Sequence, residues 1–403
     1  MGWIFVDKAG SVWYTEEKDG DGMKKIVAAL DSFKGSLSSL EAGEAVAKGV
    51  RRVYPDAEVH VLPLADGGEG TVDALVCGCG GVYASARVCD PLGRPVDARY
   101  GILPGNIAVI EMAAAAGLTL LSESERDPKK TTTYGVGELI RDALMRGCRQ
   151  FILGIGGSAT NDGGVGMLQA LGLAFLDDEG RQIPRGAEGL NGLYEIRLDG
   201  ALPELASCSF SVACDVTNPL CGENGCSAVY APQKGATPED VKYMDVLLAD
   251  YAKLTQQVLP NADPEYAGAG AAGGMGFACM SYLGAKLKSG ITLVLDALHA
   301  KELFADADLV ITGEGRLDGQ TAMGKAPVGV ARLAKQSGKP VVALAGCVTD
   351  AARAVNAEGI DAFFPIVPAA MPLERAMKPS VATQNLANTA EQVLLLIKTF
   401  CDK

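Results

Sequence analysis

The chain has 403 residues, enough for two domains of roughly 150–200 residues each, and 48 % of its residues are hydrophobic. Aromatic residues make up only 6 %, whereas glycine occurs 50 times, a balance that favours the tight loops and close helix–sheet packing of an α/β fold. The formal net charge of −13, with no run of lysine and arginine, argues against nucleic acid and membranes as partners.

The cysteines and histidines limit the kinds of site that the chain could build. Its 11 cysteines show no C-x-x-C spacing, and only His60 and His299 could complete a zinc site or a Ser-His-Asp triad, so both are disfavoured. We expect reduced thiols and a cytoplasmic location. The apolar runs are too short to span a membrane, and Asp7 and Lys8 interrupt the first of them, which argues against a signal peptide.

Residues 1–22 are predicted to be an appendage outside the main fold. The segment WIFVDKAGSVWYTEE has the pattern of a β-hairpin, and the acidic stretch KDGDG follows it. From Met23 the pattern changes: KKIVAAL predicts a strand, LSSLEAGEAVAKGVRRVY a helix and EVHVLPL a second strand. A strand, a helix and a strand within such a short span predict a parallel sheet.

The rest of the chain predicts two domains, one inserted into the other. Residues 90–288 contain strands separated by longer irregular stretches, and we assign them to an inserted second α/β domain. After them, DLVITGEG, KPVVALAGCV and AFFPIVP predict strands, while APVGVARLAKQSG and TQNLANTAEQVLLLIKTF predict helices. Residues 23–89 and 289–403 are therefore expected to form one discontinuous, three-layer domain around a parallel sheet.

Four glycine-rich segments follow predicted strands, at residues 31–36, 66–71, 154–164 and 313–325. Glycine lets backbone N–H groups approach phosphate oxygens, acidic residues could hold Mg²⁺, and Lys or Arg could neutralise a phosphoryl group. One such loop is more often a plain turn, but four that mix Gly with Asp, Lys, Ser or Thr favour a phosphate-bearing ligand. The fourth fits G-x₄-G-K only by chance, because Ala326 replaces the hydroxyl residue that would contact Mg²⁺. No G-x-G-x-x-G follows the first strand, which disfavours a dinucleotide-binding oxidoreductase.

Six sequence motifs, in this order along the chain, resemble the bacterial glycerate kinase family: DSFKGSLSSLEAGEAVAKGV, LADGGEGTVDAL, TTTYGVGELI, GIGGSATNDGGVG, DVTNPLCG and TGEGRLDGQTAMGK. The similarity runs from about Lys24 to the C-terminus and leaves out residues 1–22. The resemblance implies two α/β domains, unrelated in fold to P-loop kinases. It also implies transfer of the ATP γ-phosphoryl group to D-glycerate with Mg²⁺, in glyoxylate and organic-acid catabolism. The implied product is 2-phosphoglycerate rather than 3-phosphoglycerate.

Chemistry of that kind suggests roles for individual residues. Asp66 is the predicted general base because it ends a strand at a Gly-Gly turn, although it could simply cap the next helix. Lys34 and Arg316 are candidates for contacting the substrate carboxylate or the phosphoryl group, unless they are solvated loop charges. The candidate metal ligands are Asp162, Asp215 and Glu314. The candidate substrate or nucleotide contacts are Asp31, Ser32, Ser36, Gly67, Gly68, Glu69, Thr133, Gly135, Gly156, Gly157, Ser158, Thr160, Asn161, Gly313, Gly315, Asp318, Thr321 and Lys325.

Two other functions stay open at this point. A kinase of a related small hydroxy acid, such as tartronate or a longer aldonate, would use the same loops, because the sequence does not define the size of the pocket. A non-catalytic sensor of glycerate or a nucleotide is disfavoured, because a sensor needs neither a base nor metal ligands. The sequence does not determine the oligomeric state, and a homo-oligomer is one of the open alternatives.

Overall fold

The computed structural model describes residues 4–6, 12–14 and 23–401. The chain divides into two compact units, the first made of residues 1–62 and 301–403 and the second of residues 63–300. In chain order, the strands are β1 Ile4–Val6, β2 Val12–Tyr14, β3 Lys25–Leu30, β4 Glu58–Pro63, β5 Val82–Cys89, β6 Pro95–Leu103, β7 Ile107–Glu111, β8 Gln150–Gly154, β9 Ala174–Leu176, β10 Glu195–Arg197, β11 Ser209–Ala213, β12 Lys286–Lys288, β13 Leu309–Leu317, β14 Val341–Val348 and β15 Ala362–Pro365.

The α-helices are α1 Ser39–Val53, α2 Thr71–Cys79, α3 Ala113–Ala116, α4 Tyr134–Met145, α5 Val165–Ala170, α6 Cys226–Tyr230, α7 Pro238–Val258, α8 Ala271–Leu283, α9 Gly290–Ala297, α10 Ala300–Asp306, α11 Ala326–Lys335, α12 Leu373–Ala376 and α13 Pro379–Cys401. Helix α1 begins with a capping box, in which Ser38 and Glu41 satisfy each other's backbone N–H groups. Over the part of the chain that the structure describes, none of these helices has the length and apolar character needed to cross a membrane.

The predicted hairpin in the leader is present as two strands. β1 and β2 pair antiparallel, with Phe5 opposite Trp13. The residues between the two strands, where a hairpin requires a turn, and the acidic stretch at residues 18–22 lie outside the described residues.

The first unit contains a five-stranded sheet in the order β15-β14-β13-β3-β4. β13 pairs parallel with both β3 and β14, and β14 pairs parallel with β15. Helices α1 and α13 share one hydrophobic cluster with alternate residues of β3, namely Ile26, Ala28 and Leu30. Helix α11 packs on β13 and contributes nothing to that cluster, so it covers the opposite face of the sheet. The predicted three-layer parallel domain is therefore confirmed.

The second unit contains a six-stranded mixed sheet in the order β12-β11-β8-β7-β6-β5. β7, β8, β11 and β12 are parallel, while β5 pairs antiparallel with β6 and β6 with β7. One large cluster of buried residues includes side chains from these strands and from α4, α5, α7 and α8. The second unit, with this mixed sheet and its helices, is the inserted α/β domain that the sequence predicts.

The borders between the units differ from those expected at residues 89/90 and 288/289. Residues 63–89 belong to the second unit because α2 packs on β6 and β7, and because β5 pairs with β6 along its whole length. Residues 289–300 also belong to it, since α9 packs on β11 and α2. These contacts join segments far apart in the chain, and no local pattern in the sequence reports them.

Candidate active site

A cavity of about 440 Å³ lies in the second unit, beyond the carboxyl ends of β8 and β11. Ligands of α/β proteins commonly bind at this edge of a parallel sheet. The side chains and loops that line the cavity include Asp66, Asp215, Lys234 and the segment 155–158. It therefore combines two carboxylates, one ammonium group and a glycine-rich loop.

A larger cavity, of about 610 Å³, lies at the opposite edge of the same sheet. Its charged lining residues include Lys288 and Asp296, which form an ion pair with each other at 3.3 Å. It includes none of the predicted site residues.

The loop that carries Asp66 is held tightly against the second sheet. Gly67 has a left-handed backbone (φ +86°), and a Cβ on it would lie 2.4 Å from the Cβ of Ala213 at the end of β11. Asp66 accepts a hydrogen bond from the backbone N–H of Gly68 at 3.3 Å. Helix α2 has Gly70 as its N-cap residue, without a side-chain cap, so Asp66 does not cap the helix. Its carboxylate instead faces the cavity together with Gly67 and Gly68.

Asp215 follows β11 and is the second carboxylate of the cavity. The surrounding protein withdraws water from it and so raises its pKa, and the nearby negative charge of Asp66 acts in the same direction. The backbone N–H of Gly290 donates to it at 3.1 Å and opposes the rise. Two carboxylates that influence each other in one cavity are a common arrangement in active sites.

Lys234, in the short 3₁₀ helix Pro232–Lys234, was not found by sequence reasoning. Its side chain lines the cavity although the residue is only 2 % exposed. Its Nζ donates to Ser158 Oγ at 2.8 Å and to the carbonyl oxygen of Thr160 at 2.6 Å. Burial lowers the pKa of Lys234 to about 8, against the opposing effects of Cys226 and Asp162. In the sequence it stands in a plain Pro-Gln-Lys-Gly turn, and only its burial distinguishes it.

The predicted metal ligand Asp162 is a structural carboxylate. It is fully buried and accepts hydrogen bonds from Thr133 N at 2.8 Å, Thr133 Oγ1 at 2.9 Å, Gly164 N at 3.1 Å and Gly166 N at 3.3 Å. Burial raises its pKa, while these donors lower it. Because its oxygens already hold the starts of α4 and α5 together, Asp162 does not fit the role of a metal ligand that was expected of it.

The predicted ligand contacts at residues 133, 135 and 156–161 divide into those that are buried and those that line the cavity. Thr133, Thr160 and Asn161 are fully buried, and a Cβ on Gly135 would lie 1.9 Å from the carbonyl oxygen of Cys89. These residues pack the protein together and do not line the cavity. In contrast, Gly156, Gly157 and Ser158 do line it.

The remaining predicted residues gather at the carboxyl end of the first unit's sheet. The backbone N–H of Asp31 donates to the carbonyl oxygen of Gly313 at 2.9 Å, so the first glycine-rich segment meets the fourth, which begins inside β13. Glu314 Oε1 accepts a hydrogen bond from Thr321 Oγ1 at 2.6 Å, and Arg316 Nε lies 3.5 Å from Asp318 Oδ2. Ser32, Lys34 and Ser36 lie in the loop after β3, Gly315 lies near the end of β13, and Lys325 is the N-cap residue of α11. Glu69 is an exposed residue of the second unit outside the cavity. The three predicted metal ligands therefore do not form one cluster within either unit.

Comparison with known proteins identifies the family of this chain. A model of the glycerate kinase family matches residues 26–398. The chain belongs to the glycerate kinase family. It is 50 % identical to a glycerate kinase of Haemophilus influenzae over 92 % of this chain and 97 % of that one. It is also 47 % identical to the glycerate 2-kinase of Escherichia coli, over 91 % of this chain and 97 % of the relative.

A solved structure from Salmonella typhimurium LT2, assigned as a glycerate kinase 2, has the same fold. It superposes with a TM-score of 0.87 at 48 % identity and covers 94 % of this chain and 99 % of its own. The predicted family, α/β fold class and kinase class are thus confirmed. Residues 1–22 lie outside the family match.

Proposed function

We propose that this glycerate kinase transfers the γ-phosphoryl group of ATP to D-glycerate and forms 2-phosphoglycerate. Membership of the family supports a kinase that uses ATP and glycerate as its small-molecule partners. The observation that carries the proposal is the cavity in the second unit, where Asp66 and Asp215 line the same space as Lys234 and the loop 156–158. Such a cavity can hold a small hydroxy acid and an anionic phosphoryl group together.

Asp66 is proposed as the general base. Its carboxylate is partly exposed in the cavity. Among the described residues only the N–H of Gly68 donates to it, which leaves other lone pairs for a substrate hydroxyl. By accepting the hydroxyl proton as the new P–O bond forms, it would make the glycerate oxygen a better nucleophile.

The backbone N–H groups of Gly156 and Gly157 are proposed to bind phosphoryl oxygens. Both residues are exposed in the cavity, and no acceptor within the described chain is found for either N–H. Gly157 is left-handed (φ +72°), a backbone conformation that lets neighbouring N–H groups converge on an anion.

Lys34 and Arg316 keep the predicted role of contacting substrate anions. Both side chains are exposed at the carboxyl end of the first unit's sheet, and Asp31, Ser36 and Lys325 are proposed ligand contacts beside them.

Mg²⁺ is proposed as the metal that accompanies ATP. Within the described residues, no group of three or more His, Cys, Asp and Glu side chains could hold a metal ion by itself. Mg²⁺ in kinases is commonly held by one or two carboxylates together with phosphate oxygens, and Asp215 in the cavity fits that requirement. When bound, the ion would neutralise negative charge on the phosphates.

The test is a coupled assay of ADP release with D-glycerate, tartronate and a longer aldonate as acceptors. We expect D-glycerate to give the highest kcat/KM. Its product should be consumed by enolase directly, without phosphoglycerate mutase. A higher kcat/KM with another acid would identify that acid as the preferred substrate. A product that enolase consumes only after phosphoglycerate mutase is added would identify a 3-kinase. The ten cysteines whose side chains the structure describes are all free thiols, which supports the cytoplasm as the proposed compartment.

A further inference from the structure

The ammonium group of Lys234 is buried, and no counter-ion among the described residues is paired with it. No carboxylate of the described chain forms an ion pair with it within 4.0 Å, and its two hydrogen bonds go to uncharged oxygens. A buried charge is costly unless an opposite charge compensates it. The protein nevertheless places this cation at the wall of the cavity.

The hydrogen-bond capacity of Lys234 is not used up by the protein. An ammonium group has three N–H donors, and Ser158 and Thr160 accept two of them. Ser158 belongs to the same loop as Gly156 and Gly157, whose backbone N–H groups have no acceptor among the described residues. The remaining N–H of Lys234 and these backbone donors thus border one part of the cavity.

We propose that Lys234 is a catalytic residue that contacts the phosphoryl group in transfer and neutralises the charge on its oxygens. This inference rests on the proposed kinase function. In the step, the bond between the γ-phosphorus and the bridging oxygen of ATP breaks, and its electron pair leaves with ADP. The glycerate hydroxyl oxygen forms the new bond to phosphorus, and its proton passes to Asp66. Lys234 keeps its proton throughout.

A phosphoryl group suits this corner better than the carboxylate of glycerate. The remaining N–H of Lys234 and the N–H groups of Gly156 and Gly157 line one cavity, and together they match in number the three non-bridging oxygens of a phosphoryl group. A dianionic group also compensates the buried ammonium more fully than a carboxylate with a single charge. The carboxylate of glycerate is the competing occupant, and binding measurements separate the two.

The decisive experiment compares Lys234→Met with the unchanged enzyme by isothermal titration. The ligands are the non-hydrolysable ATP analogue AMPPNP and ADP, each with Mg²⁺, and then D-glycerate alone. We expect the unchanged enzyme to bind AMPPNP more tightly than ADP. In Lys234→Met this preference should fall about 10- to 100-fold, the scale of one charged hydrogen bond, while the affinity for D-glycerate changes less than threefold. kcat and kcat/KM should fall together by about 10²- to 10³-fold.

Two further variants keep the result interpretable. Lys129→Met removes a partly buried lysine of the same unit, one that is paired with Asp240, and should leave the AMPPNP preference unchanged. Ser158→Ala removes only a neighbouring hydroxyl and should reduce the preference less than Lys234→Met does, which supports the assignment if the larger substitution disturbs folding.

Several outcomes would overturn the inference. An unchanged AMPPNP preference in folded Lys234→Met, or a selective loss of D-glycerate binding, would show that Lys234 does not contact the phosphoryl group. Since titration needs no turnover, a failed kinase function is recognised separately, by the absence of glycerate-dependent ADP release in the unchanged enzyme.

Discussion

A Cβ at position 290 would lie 1.9 Å from the carbonyl oxygen of Asp66. Gly290 begins α9, and its N–H also donates to the carboxylate of Asp215 at 3.1 Å. One glycine thus contacts the backbone beside the proposed base and binds the other carboxylate of the cavity. Its lack of a side chain allows both contacts.

Gly290→Ala should therefore displace the Asp66 loop. We expect kcat to fall about 10²-fold, because a shift of roughly 1 Å at a reacting group can cost that much. Coupled ADP release measures kcat, and circular dichroism checks that the variant is folded. Gly192→Ala is the matched control: its Cβ would meet no atom within 4 Å, so activity should persist. Full activity in Gly290→Ala would show that the loop tolerates the displacement.

Asp66→Asn should preserve the size of the side chain and remove the base. Loss of a positioned proton acceptor typically costs about 10²- to 10⁴-fold in rate, so kcat should fall by that order with little change in KM for ATP. Asp73→Asn alters an exposed carboxylate on α2 that pairs with Arg99, and should have little effect. Full activity in Asp66→Asn would move the search for the base to Asp215.

The activity should decrease as the pH rises through about 8. Lys234 is protonated below that pH, because burial lowers its pKa to about 8, and it loses the charge that the phosphoryl group requires above it. The charged and titratable groups that act on it are Asp162 and Cys226, and burial raises the pKa of Cys226 to about 12, so that thiol stays neutral. A pH profile of kcat/KM for ATP should show this decrease, and Lys234→Met should lack it. An identical alkaline decrease in the variant would assign it to another group.

Asp162→Ala should destabilise the second unit rather than remove a metal. The change leaves the buried N–H groups of Thr133, Gly164 and Gly166 without their acceptor, and we expect a loss of about 3–5 kcal/mol in the free energy of unfolding. Urea denaturation measures it, with the exposed Asp199→Ala as the control. Unchanged stability together with weakened Mg²⁺ dependence would return Asp162 to the metal ligands.

Deletion of residues 1–22 should leave kcat within about threefold, which corresponds to less than ~1 kcal/mol of barrier. The family match begins only at residue 26, and the pattern of the leader is a self-contained hairpin. The deletion also removes both tryptophans, Trp3 and Trp13, so loss of tryptophan fluorescence verifies it. A tenfold loss in a folded protein would show that the leader contributes to catalysis.

Local patterns in the sequence were sufficient to predict much of the fold and the family of this protein. The apolar run of β3, the helical spacing of apolar residues in α1, and the ordered motifs were enough to predict the strands, the helices, the α/β class and the family. Each of these signals involves neighbours in the chain, because hydrophobic periodicity and helix caps act over a few residues. The predicted placement of Asp66 after a strand, at a Gly-Gly turn, had the same local basis.

Burial and long-range contacts were decided only by the tertiary structure. Asp162 and Asp215 both follow strands in the sequence, yet one is enclosed by backbone donors and the other faces the cavity. Lys234 carries no motif, and the cost of its buried charge arises only where the loop 156–158 folds against it. Charge and hydrogen-bonding energies depend on distances across the fold, between residues that are far apart in the chain, and a linear pattern does not contain those distances.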